Sequence, residues 1–341
     1  MRAAAAIVAL CLVASAPGAC RPGERVVERA GVAMGSELKL TASTVDEVAA
    51  RAAFDAVFAE FERLEALMST WRPGSDVLRI NAAAGVGPVP VAADVRDVLH
   101  QAKQISEWTE GTFDVTFGAL TDVWKFDHDQ DNTIPTAEAI LARLPLIDYR
   151  QIEIDDRAGT VFLKRKGMKL HLGGIGKGYA VDHAVGILRQ AGLRDFMIQA
   201  GGDLYVGGRK EGRPWRLGIQ DPRGPEGKSF ATLDLTDSTF STSGDYARFF
   251  FKDGVRYHHI LDPATGQPAR LCRSVTIAAA SPVLADAIAK GVFILGPEKG
   301  MALVEKIPDL EAVIVTAKNE VLVSSGIKNR FVLLAPPTDA P

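Results

Sequence analysis

Apolar and polar positions alternate along this chain with two different periods, and the period changes many times. Val48, Phe54, Val57, Phe58, Phe61, Leu64 and Leu67 recur at the spacing of a helix face. Thr44 and Glu47 read as the capping box that starts this helix, and a strand ending at Lys39-Leu40-Thr41 precedes it. Residues 69–91 hold Pro73, Gly74, Gly85, Gly87 and Pro88 and read as loop. A second helix is predicted from Asp94 to Trp108, and the polar, acidic stretch 127–135 reads as a surface loop. Val161-Phe162-Leu163 and Met168 to Leu172 read as two strands of a hairpin around Lys166-Gly167. A glycine cluster then leads into a helix from Lys177 to Gln190, stopped by Gly192. Strands are predicted at Phe196–Gln199, Leu204–Val206, Trp215–Gln220, Phe230–Leu235 and Val275–Ala278. Ser281 before Pro282 marks a helix start, and that helix carries Ala285 to Leu295. Val313–Thr316 and Val321–Ser324 predict a closing hairpin. There is no internal repeat and no linker that would cut the chain. The mixture predicts an α+β fold with mixed α/β layers.

Composition narrows the class. The chain has 341 residues and is 47% hydrophobic, enough for one large domain or two intimate lobes. Thirty-nine basic residues face 42 acidic ones, a net charge of -3 without like-charge blocks, which argues against a nucleic-acid-binding protein. Arg2, an apolar run from Ala3 to Ala14 and the small residues up to Ala19 have the form of a secretory signal. Cys20 directly after Gly18-Ala19 has the form of a lipoprotein cleavage site, although Pro17 departs from it; an ordinary cleaved signal is the alternative. The expected organisation is a signal over 1–19, a tether over 20–30 and one domain over 31–335. The mature protein is expected outside the cytoplasm, lipid-anchored on the periplasmic face of a bacterial membrane. Loss of Cys11 and lipidation of Cys20 would leave only Cys272, so neither a disulfide nor a zinc site is expected.

The candidate chemistry sits in glycine-rich turns. His171 to Tyr179 (HLGGIGKGY) is a strand end, a glycine turn and a helix start, where backbone N–H groups and Lys177 could meet phosphate. It is neither a P-loop nor a Gly-x-Gly-x-x-Gly turn. Gly201-Gly202-Asp203, taken alone, reads as a turn whose glycines permit positive φ, and Ser241-Thr242-Ser243-Gly244-Asp245-Tyr246 reads as a further, hydroxyl-rich turn. His258 and His259 are adjacent on an extended segment, so at most one faces a given site. Asp286 and Lys290 share a helix face, either as a plain intrahelical pair or as part of a site.

Taken together and in order, these segments resemble the ApbE family of FAD:protein FMN transferases. The resemblance runs over about 31–330. It is carried by Ala33-Met34-Gly35-Ser36, Met68 to Ser75 with Ile80-Asn81, Gly111 to Thr116, Leu172 to Asp182, Gly201-Gly202-Asp203, Thr242 to Tyr246, His259 to Pro263 and Ala285-Asp286-Ala287. The resemblance implies an ApbE-like fold of mixed sheets packed by helices, with the nucleotide in a cleft between lobes. It implies FAD as substrate with Mg²⁺, transfer of FMN through a phosphoester to a Thr or Ser of an exported or membrane-bound redox protein, and release of AMP. By position, His259 would be the general base. Asp286 and the Gly174 carbonyl would bind the metal. Met34, Trp71, Thr112, Phe113, Asp114, Lys177 and Ile260 would line the flavin nucleotide, with His171 beside them.

Three positions depart from the family pattern. His171 stands where Asp is usual, so its role is open. His258 replaces a usual Ser. Lys290 stands where a Thr ligand for Mg²⁺ is usual; an ammonium donates hydrogen bonds and cannot coordinate a cation, so it is expected to replace the metal partly or wholly, the alternative being that it swings outward and Mg²⁺ binds Asp286, carbonyls and waters. Two other functions share these residues: an FAD pyrophosphatase giving FMN and AMP, and a non-enzymatic FAD-binding lipoprotein.

Overall fold

A computed structural model describes residues 23–126 and 129–340. The signal segment and Cys20 lie outside the described residues.

The described chain opens with a hairpin of β1 (Arg25–Ala33) and β2 (Ser36–Thr44). β1 occupies much of the segment expected as tether: it is an edge strand whose polar, exposed residues hide its pairing from a hydrophobicity reading. Helix α1 (Glu47–Met68) is capped by Asp46, whose Oδ1 accepts from Ala49 N–H at 2.9 Å. Thr44 is the last residue of β2 and instead accepts from Asp46 N–H, which moves the expected cap by two residues. The supposed loop that follows contains α2 (Asp76–Ala82), capped by Ser75 through Leu78 N–H and too short to show a period.

β3 (Val89–Pro90), α3 (Ala93–Trp108), α4 (Ala137–Leu141), β4 (Ile152–Asp155) and β5 (Thr160–Leu163) come next. β5 pairs with β3 and β4, and the expected hairpin with residues 168–172 does not form. That segment satisfies its backbone otherwise. Leu170 exchanges hydrogen bonds with the Asn81 amide at 2.7 and 3.0 Å, and His171 N–H donates to the Val115 carbonyl at 2.8 Å.

The second half holds α5 (Gly176–Gln190), β6 (Asp195–Ala200), β7 (Asp203–Gly207), β8 (Trp215–Gln220), β9 (Ser229–Leu235), β10 (Ser238–Gly244), β11 (Phe249–Lys252), β12 (Val255–His258) and β13 (Cys272–Ala279). It ends with α6 (Pro282–Leu295), α7 (Pro297–Val304), β14 (Glu311–Thr316), β15 (Val321–Val323) and β16 (Phe331–Leu333). Eight strands form one sheet in the order β1-β2-β6-β7-β10-β13-β14-β15, and every pair between named strands is antiparallel. Helices α1, α3, α5 and α6 bury Phe54, Phe61, Leu99, Leu188, Phe293 and their neighbours in the main core with this sheet. On its other side the sheet packs on β16-β9-β8 through Val206, Phe240 and Val313 against Leu217, Phe230 and Leu233. The α+β layering expected from the sequence is thus present. None of the described helices is long and apolar enough to cross a membrane.

Candidate functional site

The register of the sheet brings two turns and the end of β10 together; residues 241–244, expected as part of a turn, pair with β13, and the chain turns only after Gly244. Leu38 pairs with Ala200, Ala200 with Asp203, and Asp203 with Ser241. The Met34-Gly35, Gly201-Gly202 and Thr242–Gly244 segments therefore lie side by side. Met34 and Gly35 both have positive φ, 50° and 69°. A two-residue hairpin turn needs this geometry, and a Met in it holds backbone strain. Gly202 lets the β6–β7 turn approach the Thr242 carbonyl, where a Cβ would sit 2.9 Å away.

Two helices bring the remaining groups. Asp182 of α5 accepts from Val283 N–H at 3.0 Å and so ties the start of α6 to α5. Burial raises the Asp182 carboxyl to about 6, against the hydrogen bonds from Val283 and Ser281. Gly178 lets the helices touch: a Cβ there would lie 2.5 Å from the Pro282 carbonyl oxygen and 2.7 Å from Asp286 Cβ.

Between these elements is a cleft of about 360 Å³ lined by Thr112, Phe113, Asp114, His171, Gly174, Lys177, His259, Ile260 and Lys290, among others. A smaller chamber of about 70 Å³ is lined by Met34 and Trp71 and shares His171, Gly173, Lys177 and Arg248 with the first. Eleven of the twelve residues singled out by sequence thus wall two adjoining spaces. Trp71, 51% exposed, leaves a ring face available for stacking.

Not every lining residue is free to bind. Asp114 is buried; its Oδ1 accepts from Thr116 N–H and Oγ1–H, and its Oδ2 from Tyr149 N–H. Its carboxyl is raised by burial against those hydrogen bonds, and it holds the loop together. Thr112 Oγ1 is likewise directed at the carbonyls of Thr109 and Gly291. His171 stands edge-on to Phe117 with ring centroids 5.3 Å apart, and its Nδ1 accepts from Gly173 N–H at 3.2 Å.

The twelfth residue, Asp286, does not face the cleft. Its side chain is fully buried; Oδ2 accepts from Gly178 N–H at 2.9 Å, and Oδ1 pairs with Lys290 Nζ. Magnesium asks for oxygen ligands in octahedral array. Here both carboxylate oxygens are already engaged by N–H donors, one of them a cation. The donor set does not fit the metal expected at Asp286 and Gly174. Among the described residues, the three-residue group with metal-ligand spacing is Glu60, Asp94 and His183. None of these lines the cleft, and Arg63 bonds both carboxylates at 2.7 and 2.9 Å.

A second ion pair crosses the cleft floor. Lys177 Nζ lies 3.0 Å from Asp203 Oδ2, and Ser241 Oγ–H donates to Asp203 Oδ1. Burial works against the Lys177 ammonium, but the charges of Asp203 and Asp286 outweigh it and hold its pKa above the usual lysine value. Burial likewise works to raise Asp203, and Lys177 and Lys290 outweigh it and keep the carboxylate ionised.

The two histidines separate as adjacent strand residues must. His258 is buried: Nε2 donates to the Ala269 carbonyl at 2.7 Å and Nδ1 accepts from Ile260 N–H at 3.3 Å. Burial pulls its pKa down to about 4. His259 lines the cleft, and its Nδ1 lies 3.3 Å from the Arg248 carbonyl. A carbonyl only accepts, so this contact places the proton on Nδ1 and leaves Nε2 with a lone pair. Burial, then the Arg248 and His258 charges, lower its pKa to about 3.

Sequence reasoning missed Arg248 and Ser243. Arg248 lines both chambers, but no motif marks it. Ser243 Oγ is buried at the cleft wall and has no hydrogen-bond partner among the described residues, which points to a ligand. Its signal was its place in the hydroxyl-rich motif from Thr242 to Tyr246, where no single residue stood out.

The chain is 34% identical over 343 residues to an FAD:protein FMN transferase of Treponema pallidum, covering 95% of this chain and 93% of the relative. It superposes on the ApbE protein of Thermotoga maritima with a TM-score of 0.83 at 32% identity, covering 90% of this chain and 99% of the other. The flavin transferase ApbE of Vibrio cholerae gives a TM-score of 0.81 at 28% identity, with the same coverage. The sequence pattern of the ApbE family matches residues 34–314, so this chain belongs to the ApbE family.

Proposed function

We propose that this protein binds FAD in the cleft and transfers its FMN half to a hydroxyl of a target protein. One observation carries the reading: His259, with an unprotonated Nε2, lines the same cleft as Lys177, Lys290 and the three glycine-lined segments. The flavin ring stacks near Trp71 and Met34, and the diphosphate lies by the lysines and backbone N–H groups. The acceptor oxygen attacks the FMN-side phosphorus, its proton passes to His259 Nε2, and the bond from that phosphorus to the bridging oxygen breaks. AMP leaves with the bridging oxygen. Positive groups aimed at the diphosphate stabilise the charge that moves onto AMP.

The acceptor is a Thr or Ser of an exported or membrane-bound redox protein. The signal over 1–19 and Cys20 support an anchored protein on the periplasmic face. Incubation with FAD and a candidate acceptor, followed by in-gel flavin fluorescence, tests the reading. A fluorescent acceptor band that disappears with His259→Ala is expected. Free FMN and AMP with no labelled acceptor would mean that water is the nucleophile.

A further inference from the structure

Lys290 lines the cleft and takes the one Asp286 carboxylate oxygen that Gly178 N–H leaves. It follows Asp286 by four residues on α6, so the two share one helix face. Its Nζ donates to Asp286 Oδ1 and, at 2.8 Å, to the Asp286 carbonyl. The stem passes beside Gly174, where a Cβ would lie 3.9 Å from Lys290 Cδ. The carboxylate is fully buried, whereas the lysine side chain is 19% exposed and lines the cleft. A ligand therefore meets the ammonium and not the carboxylate. An ammonium has three N–H donors. Asp286 takes two, and the third remains for a phosphate oxygen.

We propose that Lys290 is the built-in counter-cation of this site, and that FAD binding here needs no divalent metal. This rests on the reading of FAD as the ligand. The cation is covalently part of α6 and arrives with folding. Asp286 serves to fix the ammonium, with Gly178 N–H holding the far oxygen of the carboxylate. Without the lysine, a buried carboxylate would lack its cation, and a metal ion would become its natural partner.

The test compares FAD binding by the full chain in EDTA and in millimolar Mg²⁺, read by flavin fluorescence. The wild-type dissociation constant is expected to differ by less than about twofold between the buffers, since the cation is already present. Lys290→Thr supplies an oxygen and frees Asp286. It should bind FAD at least about tenfold more weakly in EDTA and recover most of that loss in Mg²⁺. Lys290→Met keeps the stem but not the charge and should be weak in both buffers. Near-ultraviolet circular dichroism checks that the variants are folded, and the wild-type comparison needs no variant. Wild-type affinity that collapses in EDTA and returns with Mg²⁺ overturns the inference and leaves FAD binding intact. No affinity in either buffer overturns the proposed function itself.

Discussion

Gly178 and Asp286 meet across two helices: the Gly178 N–H donates to Asp286 Oδ2 at 2.9 Å, and a Cβ on Gly178 would sit 2.7 Å from Asp286 Cβ. The contact fixes how α5, which carries Lys177, lies against α6, which carries Lys290. Gly178→Ala must push the helices apart against a packed core. Overpacking of this kind costs about 1–3 kcal/mol, read as a lower thermal midpoint, and FAD affinity should fall with it. Unchanged stability would show that the helices are free to shift.

His259→Gln should leave FAD binding nearly intact and slow FMN transfer by about 10² to 10⁴, the usual contribution of a general base. The pH profile carries a further sign. In the free protein the His259 pKa is lowered to about 3, so the imidazole is neutral across the working range. A bound diphosphate dianion favours the imidazolium and raises that pKa. The acidic limb of kcat should therefore lie at higher pH than the acidic limb of kcat/KM. Coincident limbs would place the diphosphate away from His259.

His258 contributes to acid lability, alongside His259. The His258 pKa falls from about 6.5 in the unfolded chain to about 4 in the folded one, chiefly through burial. The unfolded chain thus binds the proton first as pH drops. Stability is intact above about pH 6.5 and is lost on the way down to about pH 4, by up to ~3 kcal/mol from this group. Denaturant melts of wild type and His258→Gln at pH 7 and pH 4.5 check this: the variant should lose less on acidification. Equal losses would assign the acid lability to other groups.

Asp245 belongs to the motif that runs from Thr242 to Tyr246, but its carboxylate turns away from the cleft. It accepts two bonds of 2.7 Å from the Arg223 guanidinium, and both side chains are buried. Asp245→Asn leaves a buried cation without its charge partner, which costs about 3–5 kcal/mol. The thermal midpoint should drop sharply, while the FAD affinity of the folded fraction stays the same. A stable variant with impaired FAD binding would move Asp245 into the site.

Helical period, caps and glycine turns made the long elements legible from the residues alone. α3 and α6 begin within one residue of their expected starts, and β8 lies where its alternation put it. The edge strand β1 and the short α2 were not legible, because exposed pairing and a helix of only seven residues leave no clear hydrophobic period. Residues 168–172 looked like a strand because apolar and polar positions alternate there, yet Leu170 bonds a side-chain amide and His171 N–H the Val115 carbonyl instead of a hairpin partner.

The sequence by itself determined the identity of the chemistry: the order of glycine turns, the adjacent histidines and the Asp286–Lys290 spacing are local facts, complete within a few residues each. Only the tertiary structure decided which of those residues a ligand can reach. His259 turns to the cleft and His258 to the core; Asp114 and Asp286 are engaged by donors distant in sequence; Arg248 arrives at the site without any motif, and within the motif from Thr242 to Tyr246 it is Ser243 that lines the cleft. The reason is physical. Access and hydrogen-bond commitment depend on neighbours that only the folded chain brings together, such as Gly178 at Asp286, 108 residues away along the chain, and Gly291 at Thr112, 179 residues away.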